Sequence, residues 1–198
     1  MISENFVWVA LLIDFLGGIN YLLYTIQGKV KPNKISWFLW GVIPLIAFIA
    51  QVKQGVGLQS LFTLVIGLTP LLVFFASFMN KKSSWKITKL DIACGGISVL
   101  GLMLWVLTGV GNVAIFFSII ADLTAALPTV VKSYYNPESE NYLVYLATTI
   151  ASAIILLTIK EWNFQTYGYP LYVFVICIVF VLLIKFKIGK KFDLSSHS

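Results

Sequence analysis

Arginine is missing from this sequence, so all fourteen basic residues are lysine. Without a planar guanidinium there is no forked donor for phosphates or base edges, and the net charge of +6 is not a nucleic-acid footprint. Charge of either sign is scarce: 11% of 198 residues, with only eight acids. A soluble domain of this length needs far more charge to cover its surface. Histidine occurs once, as His197 in the polar tail DLSSHS, and cysteine twice, as Cys94 and Cys177 inside apolar runs. With no C-x-x-C pair and no His–Cys cluster, no metal site and no cofactor is expected. The start, MISENFVWVALLIDFLGG, has Glu4 where a signal peptide carries basic residues, so the first apolar run is expected to be retained as a helix.

What remains is hydrophobic: 59% of residues, with a mean hydropathy of +0.92. A bilayer core of about 30 Å takes roughly 20 apolar residues as helix. Seven runs qualify, over 5–26, 34–52, 58–79, 90–108, 112–132, 142–159 and 169–187. Polar, Gly- or Pro-bearing stretches such as QGKVKPN, NKKSSWKITK and KSYYNPESEN separate them. The lysines fix an orientation. Threading the chain through seven spans puts twelve of them, from Lys29 and Lys31 through Lys132 to Lys191, on one side and only Lys53 and Lys160 on the other. By the positive-inside rule the N-terminus is expected outside and the C-terminus in the cytoplasm. Trp8, Trp37, Trp85, Trp162, Tyr167 and Tyr169 fall near span ends, where interfacial aromatics belong.

Two segments share an order of unusual residues. LIDFLGGINYLLYTIQGKVKPNKISWFLW and IADLTAALPTVVKSYYNPESENYLVY align Asp14 with Asp122, Gly17-Gly18 with Ala125-Ala126, Asn20 with Pro128 and Tyr21 with Thr129. After a three-residue gap, Pro32 meets Pro137, and Trp37 and Trp40 meet Tyr142 and Tyr145. A repeat of helices 1–3 in helices 5–7 leaves one linker span, which restores the orientation of the second unit. The expected fold is all-α integral membrane: seven transmembrane helices as two parallel three-helix repeats joined by a linker helix, N-terminus out and C-terminus in. The units are 1–80, the loop and linker helix 81–110, the second repeat 111–188 and a polar tail 189–198.

This arrangement, with LPTVVKSYYNPESEN in the second unit, resembles the SWEET and PQ-loop superfamily. Pro128 followed eleven residues later by Ser139-Glu140 is similar to that family's proline-plus-polar pair and Ser-Glu loop. Thr129 stands where the family has glutamine, and Asn20-Tyr21 stand where Pro-Gln would be in the first unit. The resemblance implies alternating access by two three-helix units and transfers no substrate, because family members handle sugars, amino acids and vitamins and some act as receptors.

The residues argue for themselves as well. Asp14 and Asp122 each lie about ten residues inside a span, near the bilayer middle at about 1.5 Å per residue. An ionised Asp there costs roughly 2.5–3.5 kcal/mol and is commonly found at a cavity, cation site or proton relay. Two readings stay open: a substrate-binding or proton-coupling pair, or a structural lock bonded to a neighbouring polar side chain. Asn20, Tyr21 and Thr129 belong to the same candidate site. Pro128 and Pro44 are candidate hinge or gate positions, because proline removes a helix hydrogen bond; a static kink is the alternative for each. Lys132 is too far along its helix to pair with Asp122 and is expected to reach the interface or to pair with Glu138 or Glu140. Asp91 reads as a helix cap. Trp37, Trp40, Tyr142 and Tyr145 are interfacial anchors or a stacking surface.

The expected function is a multi-pass membrane transporter of a small polar solute, sugar, amino acid or vitamin-like, by alternating access with proton linkage open. It would sit in a cell membrane of the bacterial inner-membrane kind. The rival is a non-transporting receptor or sorting protein on the same fold. Expected partners are the solute and the lipid bilayer, with self-association into a homo-oligomer left open and no nucleic acid. No enzyme is expected, because the G-x-G-D context of intramembrane aspartyl proteases is lacking, and no retinal protein is expected, because helix 7 has no central lysine for a Schiff base.

Overall fold

A computed structural model describes residues 2–83, 85–108 and 111–189. Among these there are seven α-helices and no strand: α1 (Phe6–Ile26), α2 (Lys34–Lys53), α3 (Ser60–Ala76), α4 (Lys89–Thr108), α5 (Gly111–Tyr135), α6 (Tyr142–Thr158) and α7 (Phe164–Lys185). Short 3-10 turns follow α3 at Lys81–Ser83 and α5 at Pro137–Ser139. The tail from Lys190 onward, with His197, lies outside the described residues.

Four helices, α1, α2, α5 from Ile115, and α7, are long and apolar enough to cross a membrane. Their outward faces carry large apolar side chains such as Leu12, Leu16, Ile49 and Val175, which water would not tolerate in such number. This is the makeup of an α-helical membrane protein.

The ends of the helices follow local chemistry. α2 and α6 both open on an asparagine whose side chain accepts backbone N–H groups of the first turn: Asn33 from Ile35 and Ser36, Asn141 from Leu143. α5 runs to Tyr135, three residues past its expected end, and stops where Pro137 excludes helical geometry for the residue before it. α7 starts at Phe164 rather than at residue 169. Asn163 and Thr166 form a reciprocal capping box there, so FQT is the first helical turn and not loop. α4 opens similarly: Thr88 and Asp91 bond each other's backbone N–H, and Asp91 also accepts from Asn33 at 2.5 Å. The expected cap therefore also ties the start of α4 to the start of α2.

The packing order is the same in both halves. α3 lies between α1 and α2, and α7 lies between α5 and α6. The halves meet along two seams, α1 with α6 and α2 with α5, while α4 lies against α5 and touches α2. The buried face of α1 is Val7, Ala10, Leu11, Asp14, Gly17, Gly18, Tyr21 and Thr25, a three-and-four spacing with the acid at its centre. Small residues bring the helices close. A Cβ on Gly17 would lie 2.5 Å from the Cβ of Ala147 on α6, and one on Gly18 would lie 2.8 Å from that of Thr69 on α3.

Loop contacts define two ends. At the lysine-rich end, the Lys31 N–H donates to the Ser139 carbonyl, Ser83 donates to the Thr25 carbonyl, and Lys187 pairs with Glu138. At the opposite end, Lys160 pairs with Glu4, and the α2–α3 and α6–α7 loops border a vestibule of about 420 Å³.

Candidate functional site

Midway between these ends is a cavity of about 80 Å³ lined by side chains from α1, α2, α3, α5, α6 and α7. Asp14 of α1 and Asp122 of α5 both line it and are 3% and 5% exposed. Thr148 donates to Asp14 Oδ1 at 2.6 Å, and the other oxygen of Asp14 takes no hydrogen bond from the described residues. Asp122 is held twice from α7: Tyr172 donates to Oδ2 at 2.6 Å and Tyr169 to Oδ1 at 3.2 Å. Cys177 of α7 also lines the cavity.

The wall toward the lysine-rich end is aromatic. Tyr145 stacks on Phe180 at 4.4 Å, and Trp40 meets both edge-on at 6.4 and 5.7 Å. Trp37 packs edge to face with Trp40 at 5.5 Å and stacks on Tyr21 at 4.3 Å. Trp37 and Tyr169, expected at the membrane interface, are instead almost wholly buried. The span-end rule misplaces them because Trp37 is on the α2 face that turns inward, and because α7 starts five residues earlier than its apolar run.

Beyond the aromatics lies a charged plug. Glu140 Oε1 pairs with the Lys132 ammonium at 2.5 Å, and Oε2 accepts from Tyr21 at 2.6 Å and Tyr145 at 3.3 Å. Lys132 also donates to the Lys31 carbonyl and sits 4.8 Å above the Trp85 ring. Both charged side chains are sealed, at 1% and 0% exposure. Lys132 therefore turns into the bundle and does not reach outward to the interface. On the other side of the cavity, Val7, Leu11, Phe62 and Ile155 form an apolar layer one to two turns beyond Asp14 and Thr148.

The remaining candidates lie outside the cavity lining. Asn20 accepts from Asn141 at 3.1 Å, Tyr21 belongs to the Glu140 plug, and Thr129 donates to Ser36 at 3.0 Å in the α2–α5 seam. Pro44 and Pro128 are buried within α2 and α5, which continue through them. Sequence reasoning did not single out Thr148, Tyr172, Phe180 or Cys177. One signal was available for part of the site: Trp37 and Trp40 stand four and seven residues after Asn33, as Tyr145 and Thr148 do after Asn141, and all four line the cavity.

No protein-family model, no curated protein and no solved structure matches this chain.

Proposed function

We propose that the protein is a multi-pass membrane carrier for a small polar solute, working by alternating access in the manner of the SWEET and PQ-loop proteins it resembles. The observation that carries this reading is the meeting of Asp14 and Asp122, from two different helices, in one buried cavity at mid-depth. A carboxylate is expensive at that depth, and two at one cavity, one with a free oxygen, suit a solute or coupling-ion site better than a lock that leaves no oxygen open.

Pseudo-symmetry supports the repeat. The lining positions pair at two nearly equal offsets: Asp14 with Asp122, Trp37 with Tyr145 and Trp40 with Thr148, each 108 residues apart, then Ile66 with Val173, Thr69 with Ile176 and Pro70 with Cys177, each 107 apart. The N-cap pair Asn33 and Asn141 shares the 108 offset, so the two units align without the three-residue gap inferred from Pro32 and Pro137. A parallel repeat about an axis along the membrane normal places a solute site at the interface of its halves. The lysine bias assigns the plugged end to the cytoplasm and the N-terminus to the outside. The conformer described is then one closed toward the cytoplasm by Lys132, Glu140 and the aromatics. A receptor on the same fold would depend on the loop charges Lys132, Glu138 and Glu140 without solute flux; Lys132 and Glu140 are sealed in the plug, and Glu138 is exposed beside Lys187.

The test is flux into proteoliposomes for sugars, amino acids, vitamins and amines, with and without a pH gradient. Uptake of any of them by the wild type, lost in Asp14→Asn or Asp122→Asn while the variants stay folded, supports the carrier. A dependence on the pH gradient would make it proton-linked. No uptake of any solute, with both variants unfolding early, would leave the acids as a structural lock.

A further inference from the structure

The polar groups of the cavity are unequally spent. Its hydroxyl donors are all engaged: Thr148 donates to Asp14, Tyr169 to Asp122, Thr69 to the Val65 carbonyl and Tyr145 to Glu140. The carboxylate oxygen left open is the second oxygen of Asp14, and the open donor in the lining is the single indole N–H of Trp37. Among the described residues no lysine or histidine lines the cavity, so no cationic side chain there balances a negative charge on a ligand. A sugar would find few free donors for its ring of oxygens. A zwitterionic amino acid would bring a carboxylate into a site that already holds two.

The walls complete the pattern. Trp40, Tyr145, Tyr169 and Phe180 border the same space as the two acids. Aromatic faces attract cations through the ring quadrupole, more strongly where water is excluded. A buried carboxylate with an open oxygen makes a short, charge-assisted bond to an N–H donor. The volume of about 80 Å³ limits the ligand to a compact molecule.

We propose that the ligand of this cavity is a small organic ammonium ion, its N–H groups on the free oxygen of Asp14, its charge shared with Asp122, and its carbon skeleton against Trp40, Tyr145 and Phe180. This rests on the carrier reading and narrows its solute to a cation. Asp14 is the principal binding residue. Thr148, Tyr169 and Tyr172 are positioning residues that hold the two carboxylates in place. The aromatic walls favour an organic cation over an inorganic one, which needs a shell of several oxygens.

The experiment is binding to the purified full-length protein in detergent. The probes are methylammonium, ethanolamine and choline, each set against an uncharged partner: ethylene glycol for ethanolamine and 3,3-dimethylbutanol for choline. Sodium and potassium chloride, a sugar and a neutral amino acid are run beside them. The expected result is saturable binding of at least one ammonium probe, with its uncharged partner weaker by about tenfold or more, equivalent to 1.4 kcal/mol. Asp14→Asn is expected to abolish that preference. Trp40→Leu should weaken the ammonium probe and leave the sodium response unchanged. The wild-type comparison of charged and uncharged partners needs no variant to fold. If the sugar or the amino acid binds and the ammonium probes do not, the cation assignment is overturned while the carrier reading stands. If sodium alone binds, the site is an inorganic-ion site and the assignment is again wrong. If no probe binds, the assignment fails, and failure of the wider flux panel as well would remove the carrier reading.

Discussion

Removing Lys132 should cost more than any surface lysine, and the structure says how much should return when Glu140 is neutralised with it. Lys132→Met takes away the one cation paired with Glu140 among the described residues, at 2.5 Å and with both side chains sealed. Glu140 would keep its bonds from Tyr21 and Tyr145, yet a buried carboxylate without its counter-charge typically costs about 3–5 kcal/mol. Glu140→Gln alone strands the ammonium, which retains the Lys31 carbonyl and the Trp85 face, so its loss should be smaller, about 2–3 kcal/mol. The double variant carries no buried charge, and its glutamine oxygen can still accept from Tyr21. It should lie within about 2 kcal/mol of wild type, since replacing a buried pair by neutral groups is often near neutral. Equilibrium unfolding in mixed micelles, followed by tryptophan fluorescence, gives the four stabilities. The summed losses of the single variants should exceed the double loss by more than about 2 kcal/mol. Additivity within about 0.5 kcal/mol would refute the claim that these charges form one sealed pair.

Three further outcomes follow from contacts elsewhere. Gly17→Ala should destabilise by about 1–3 kcal/mol because its Cβ meets that of Ala147, and Ala147→Gly in the same chain should restore most of the loss, read by the same unfolding assay. Asn33→Ala should cost about 2–3 kcal/mol, since it removes both the cap of α2 and the tie to Asp91, whereas Asn163→Ala, an exposed cap, should cost about 1 kcal/mol. With a membrane-impermeant maleimide on intact cells, Lys160→Cys should react at once and Lys187→Cys only after the membrane is opened; the reverse would invert the proposed orientation.

The parts of this fold that were legible in the sequence are those where one residue's cost can be judged alone. An acid ten residues inside an apolar helix is conspicuous because insertion penalises it, so Asp14 and Asp122 stood out before any packing was known. The helix starts at Lys34 and Tyr142 were close to expectation because Asn33 and Asn141 are strong caps. Glu140 was read as a loop charge and one of two candidate partners of Lys132, which it is, but its burial was not legible because NPESEN carries no period; the α1–α6 seam, drawn in by Gly17 against Ala147, buries it under Tyr21. Trp37 and Tyr145 were ambiguous for a related reason. An aromatic four residues into a span can face lipid headgroups or the bundle, and the choice depends on helix rotation, which a weakly amphipathic apolar helix does not announce. α7 shows the limit of counting apolar letters: its first turn carries Gln165 and Thr166 and is held by a capping box.

The most direct measurement uses Cys177, a native thiol in the cavity wall, after Cys94→Ala removes the other cysteine. A small cationic methanethiosulfonate is added to one side of sealed proteoliposomes, and modification of Cys177 is followed by intact mass. A carrier predicts that the reagent reaches Cys177 in the folded protein, that an anionic reagent of similar size reacts about tenfold more slowly, and that Asp14→Asn narrows the difference. Modification that begins only when the protein unfolds would mean that the cavity never opens to water, and would contradict alternating access at Asp14 and Asp122.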